Sequence, residues 1–163
     1  MAVSNPDSDG LLNSLKSRVS AYVDSIADEI IALSLRIHDT REIGLEEVKS
    51  CGYLAGFLAE RGMAVETGIA GMPTAFRAAC TGAAARPLIA FLAEYDALPA
   101  VGHACGHNII GASAAGAGAA LAALGTDLAG SVWVVGTPAE ESAGGKITMA
   151  KTGVFGPVDA VFM

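Results

Sequence analysis

Leu11, Leu15, Val19, Tyr22, Val23, Ile26, Ile30 and Leu33 recur every three or four residues, the spacing that lines one face of an α-helix. The pattern predicts one long amphipathic helix over 11–37, broken by the polar segment 38–44. A second helix is predicted over 46–61, with Val48, Leu54, Phe57 and Leu58 on one face and Gly62 as its terminator. Short strands over 64–67 and 74–78 flank a glycine-containing turn. Continuous apolar runs at 87–93 and 131–136 read as strands buried on both faces. Between them, 109–124 is rich in Ala and Gly and reads as a buried helix, since a membrane span needs about 20 apolar residues. A short helix over 147–151 follows Gly144-Gly145, and a last strand starts at 158.

Strands alternating with helices predict an α/β fold, a three-layer α/β/α arrangement with a largely parallel sheet. The runs at 87–95 and 131–137, joined by one helix, are expected to be adjacent and parallel. The polar stretch 1–10 reads as a disordered tail, leaving 11–163 as one domain. The chain stops at Met163 inside its last apolar strand, so the domain is expected to be incomplete.

Composition narrows the class. Of the 163 residues 52% are hydrophobic and 17% charged, a balance that buries a core and argues against extended disorder. The net charge of −7 leaves no basic patch for phosphates, which excludes nucleic acid as a partner. Cys51, Cys80 and Cys105 are odd in number and irregular in spacing. That fits a reduced, cytoplasmic protein better than a disulfide framework. Residues 1–10 carry no apolar leader core, and no membrane association is expected.

The chemistry concentrates in two segments. Gly-His-Ala-Cys-Gly-His-Asn at 102–108 puts Cys105 two residues before His107, with His103 just upstream. Thiolate and imidazole are the ligands that borderline-soft divalent metals prefer. Gly102 and Gly106 free the backbone to aim both side chains at one ion. Thr-Pro-Ala-Glu-Glu at 137–141 supplies an acid pair, Glu140 and Glu141. Alone, a Cys-x-His pair is more often packing and an acid pair more often a solvated face. Both follow the carboxyl ends of predicted buried strands, where open α/β sheets bind ligands. Together they point to metal-assisted hydrolysis. Glu42, Glu46 and Glu47 read as capping and surface charge, His38 as structural, and Cys51 and Cys80 as buried thiols.

Ala-Glu-Tyr-Asp-Ala-Leu-Pro at 93–99, the 102–108 segment and Gly-Thr-Pro-Ala-Glu-Glu at 136–141 resemble the aminoacylase/carboxypeptidase-like metallopeptidases. The similarity is to the amidohydrolase branch of aminobenzoyl-glutamate hydrolases and related dipeptidases. Segments 37–39, 42–47, 71–76 and 154–160 fit as well, so the resemblance covers 30–163. It implies that Cys105 ligates and bridges two divalent ions, zinc or manganese, and that His107 and Glu141 are further ligands. It implies that Glu140 is the general base toward a metal-activated water and that Asp96 orients a ligand from behind. His103 either supports the ligands or merely lies in the loop. Asn108 stands where many relatives carry Asp. The implied substrate is a small N-acyl amino acid or dipeptide-like amide, and the implied assembly of the full-length protein is a homodimer. Two further ligand histidines and a smaller dimerisation domain are expected downstream, so that 163 residues form the N-terminal part of the catalytic domain and are inactive alone. The competing reading is a non-enzymatic α/β remnant or association module.

Overall fold

The computed structural model describes residues 6–163. Two helices, α1 (Pro6–Ser25) and α2 (Ala27–Thr40), stand where one was expected. The chain kinks at Ile26 (φ −113°, ψ 12°), whose N–H is shared between the carbonyls of Tyr22 and Val23, both at 3.2 Å. Tyr22, Ile26, Ile30, Leu33 and Ile37 stay on the core side throughout, so the apolar period passes through the kink without registering it. Of the expected tail, residues 1–5 lie outside the described residues, and 6–10 open α1.

Helix α3 (Val48–Ala59) is shorter at both ends than its periodicity suggests. Glu42 caps its first turn, accepting the N–H groups of Lys49 (3.0 Å) and Ser50 (2.9 Å); this offsets two amides that a helix start leaves unpaired. Glu46 is exposed, as expected. Glu47 is not a surface charge: it is fully buried. Burial pushes its carboxyl above the usual carboxylate range.

Five strands form one sheet in the order β1 (Ala64–Thr67), β2 (Phe76–Thr81), β4 (Ser131–Gly136), β3 (Leu88–Ala93), β5 (Ala160–Phe162). β3 pairs in parallel with β4, from Leu88 opposite Ser131 to Ala93 opposite Gly136, as the apolar runs predicted. β5 joins β3 in parallel on its other side. The β1–β2 and β2–β4 pairs are antiparallel, so the sheet is mixed. The short link from β1 to β2 permits only an antiparallel return, whereas the parallel pair β3–β4 needs the crossover helix α4 (His107–Ala122).

The helices α1–α4 cover one face, with α3 and α4 on the sheet and α1 and α2 against α4. Leu33, Ile37, Leu54, Leu58, Ala115, Val132 and Val134 meet there. The opposite face is covered more thinly, by α5 (Gly145–Lys151) and the turn at 69–72, whose Met149 and Met72 pack with Ala75, Ala90, Leu92 and Val135. Three layers result, as the alternating pattern implied. No described helix is long and apolar enough to cross a membrane.

Asp159 anchors β5. Its Oδ2 accepts the N–H of Leu88 at 2.7 Å, its own N–H donates to the Leu88 carbonyl at 2.8 Å, and its carboxylate pairs with Arg86. The Leu88 amide and then the Arg86 guanidinium hold its pKa below the ordinary 3.8. A depressed carboxyl stabilises the fold above its unfolded pKa and stops doing so as pH falls through its folded pKa. Asp159→Asn should therefore lower the melting temperature at neutral pH. Melts across a pH series should show that difference fading below 3.8, and a difference unchanged in that range contradicts the anchor.

Candidate metal centre

β3 ends at Ala93, and the extended chain beyond it carries Glu94, Tyr95 and Asp96. Alternation puts Glu94 and Asp96 on one side and Tyr95 on the other. Tyr95 turns into the core, donating to the Thr74 carbonyl at 2.5 Å. Gly106, at φ 81°, starts α4, whose first residue is His107; at that φ a side chain would be strained. The helix thus begins two residues earlier than its apolar run suggests, and its first turn holds the imidazole over Asp96.

His107 Nδ1 lies 2.9 Å from Asp96 Oδ1 and 3.0 Å from the Asp96 carbonyl oxygen. Both partners are acceptors, which assigns the proton to Nδ1 and leaves Nε2 with a lone pair. Nε2 faces Glu94 Oε2 at 3.3 Å and Glu140 Oε2 and Glu141 Oε1, each at 3.7 Å. One donor atom each from His107, Glu140 and Glu141 lies within 4.8 Å of the others. Ligand atoms about 2.0–2.2 Å from a shared ion stand at most about 4.4 Å apart, a limit that the 3.7 Å separations of Nε2 from Glu140 and Glu141 meet. Glu94 also pairs with Lys146 of α5. The donor set and spacing fit a divalent cation, which would offset the acid cluster.

Asp96 is buried, and its Oδ2 accepts the Glu141 N–H at 3.0 Å, so one carboxylate orients both the imidazole and the acid loop. Cys105 is exposed and outside the three-residue cluster. The Glu141 carboxylate beside it is the main influence holding its thiol above the ordinary value; desolvation and the charges of Glu141, Glu140 and Asp96 add to this.

His103 is buried, and neither ring nitrogen has a hydrogen-bond partner among the described residues; burial lowers its pKa. Its ring lies 6.1 Å from that of half-exposed His38, and it is not among the three clustered donors. Asn108 ties α4 to α2 by donating to Ser34 Oγ at 2.9 Å. Cys51 is a buried thiol raised to about 11, mainly by desolvation, and Cys80 is half-buried. Motif reading assigned nothing to Glu94 or Lys146. The two-residue spacing of Glu94 from Asp96 is the one signal that could have found the first; Lys146 carries none.

The sequence pattern of peptidase family M20/M25/M40 matches residues 90–163. Mouse (Mus musculus) Xaa-Arg dipeptidase is 43% identical over 164 aligned residues, which cover 93% of this chain and 38% of the mouse protein. The chain is thus similar to the M20/M25/M40 peptidases. One component of the Escherichia coli p-aminobenzoyl-glutamate hydrolase is 35% identical, over 77% of this chain and 30% of its own length. The crystal structure of a Bacillus subtilis dinuclear metal-binding M20 peptidase superposes with a TM-score of 0.77 at 27% identity, covering 85% of this chain and 42% of that one. The chain thus spans 30–42% of the length of these relatives.

Proposed function

We propose that this chain contributes the β3–α4–β4 side of a dinuclear metallo-amidohydrolase centre that cleaves a small N-acyl amino acid or dipeptide-like amide. The observation that carries the reading is the convergence of His107 Nε2 with Glu140 and Glu141 while Asp96 holds Nδ1. His107, Glu141 and Cys105 would hold the ions, zinc or manganese. Divalent ions there would polarise the scissile carbonyl and lower the pKa of water. Asp96 keeps the imidazole in the ligating tautomer. The Glu140 carboxylate is partly open to solvent. It accepts the proton of the attacking water and returns it to the leaving amine nitrogen, so atoms and charge balance. The relatives named for dipeptide and aminobenzoyl-glutamate hydrolysis support this substrate class. A homodimer of the full-length protein in the reducing cytoplasm belongs to the same reading, with the three free cysteines in its favour.

Three ligands from 163 residues are fewer than a dinuclear centre needs, so the chain alone is expected to bind metal weakly and hydrolyse amides at background. Calorimetric titration with zinc and manganese, beside an amidase assay on N-acyl amino acids, tests this. Weak saturable binding without turnover is the expected result. Turnover abolished by Glu140→Ala would overturn the incompleteness while supporting the chemistry. Absence of binding by either ion would favour the non-enzymatic alternative.

A further inference from the structure

The centre depends on a bend that its own residues do not favour. Ala139, immediately before the acid pair, sits at φ 58°, a left-handed conformation that a residue with a Cβ disfavours. Something outside the loop has to hold it. Glu47, between α2 and α3, is fully buried. Its Oε1 accepts the Ala139 N–H at 2.7 Å, and its Oε2 accepts the Thr74 hydroxyl at 3.0 Å. The same α2–α3 segment lies directly on the bend, since a Cβ on Gly44 would stand 2.9 Å from both Ala139 Cα and Ala139 Cβ. Two residues further along, Asp96 takes the Glu141 N–H at 3.0 Å. Glu140 therefore projects from a peptide gripped on either side by a buried carboxylate, one reaching across 92 residues of sequence and the other rising from the end of β3.

We infer that Glu47 is a positioning residue for the acid pair: by holding the Ala139 N–H it fixes the left-handed bend from which Glu140 and Glu141 reach His107. Among the described residues its side chain has no hydrogen bond or ion pair with His107, Glu140 or Glu141; it acts through the backbone of Ala139. The inference rests on the metal-centre reading for its functional meaning, but its structural half can be read without any ion. Thr74 supplies the internal control. It shares the same buried carboxylate, so its loss disturbs the same network without releasing Ala139.

The test uses the whole chain as wild type, Glu47→Ala, Glu47→Gln and Thr74→Val. Amide hydrogen exchange over 139–145 is followed by mass spectrometry, and cobalt(II) affinity by absorption titration. Glu47→Ala is expected to speed exchange in 139–145 and to weaken cobalt binding at least about tenfold, the lower end of what losing a supporting partner costs a metal site. Glu47→Gln keeps a carbonyl acceptor for Ala139 and should stay at the wild-type level in both. Thr74→Val should lower the melting temperature and leave both readouts unmoved. Should Glu47→Ala not fold, Glu47→Asp, one methylene short of Ala139, is read in its place with the same outcomes. Unchanged exchange and cobalt affinity on removal of Glu47, or equal changes in Thr74→Val, would overturn the inference. If the wild-type chain takes up no cobalt, the metal reading fails, and the exchange comparison still decides the role of Glu47.

Discussion

A His107→Ala chain is expected to lose zinc binding more completely than any other single variant of the centre. The imidazole is the one neutral donor among the carboxylates, and its Nε2 is the point that Glu94, Glu140 and Glu141 surround at 3.3–3.7 Å. Its removal leaves those acids to repel one another with no neutral nitrogen donor among them. Asp96→Asn should do less, because the amide still occupies the site while offering Nδ1 the wrong pairing. A supporting partner of that kind is worth roughly 10–100-fold in metal affinity, and the loss in His107→Ala should exceed it. Zinc calorimetry on the three proteins checks the order. Equal losses, or a larger loss in Asp96→Asn, would contradict the ligand assignment.

Phe76→Ala is expected to be the most destabilising of the core truncations beneath the centre. Phe76 on β2 is fully buried, its ring stacks with that of Tyr95 at 6.1 Å, and it fills the space left by Gly136, where a Cβ would collide with it. Small residues cannot close that gap, so both the transfer free energy and a cavity are lost, about 3–5 kcal/mol. That is a large part of the roughly 5–15 kcal/mol by which domains are stable. At about 2–4 °C per kcal/mol for a chain of this size, the melting temperature should fall by about 6–20 °C. Urea and thermal melts measure it. Cys105→Ser, exposed at the surface, should stay within about 0.5 kcal/mol of wild type. A Phe76→Ala cost no larger than that would mean the ring does not pack as described.

The layers and the order of elements were legible because the buried strands β3 and β4 and the small-residue helix α4 are written as uninterrupted apolar runs. The kink at Ile26 was not, since both sides of it bury the same face and the period continues. The nearness of His107 to the acid pair was legible through motifs that follow the ends of neighbouring strands, whereas Cys105, expected beside them, falls outside that cluster. Glu47 was hidden for a different reason. Its acceptors are satisfied by Thr74 and Ala139, 27 and 92 residues away, and nothing in a local Glu-Glu pair distinguishes a solvated carboxylate from a buried one. Lys146 was hidden likewise, because its pairing with Glu94 exists only once α5 folds back over the end of β3.

The claim on which everything else rests is that His107 and Glu141 hold a divalent cation beside Glu140. Its most direct measurement is the visible absorption of cobalt(II) titrated into the wild-type chain, His107→Ala and Glu141→Gln. The account expects ligand-field bands on saturation of the wild type, absent in His107→Ala and weakened in Glu141→Gln at the same cobalt concentration. Bands that persist unchanged in both variants, or a wild-type spectrum no different from that of the free aqueous ion, would contradict it.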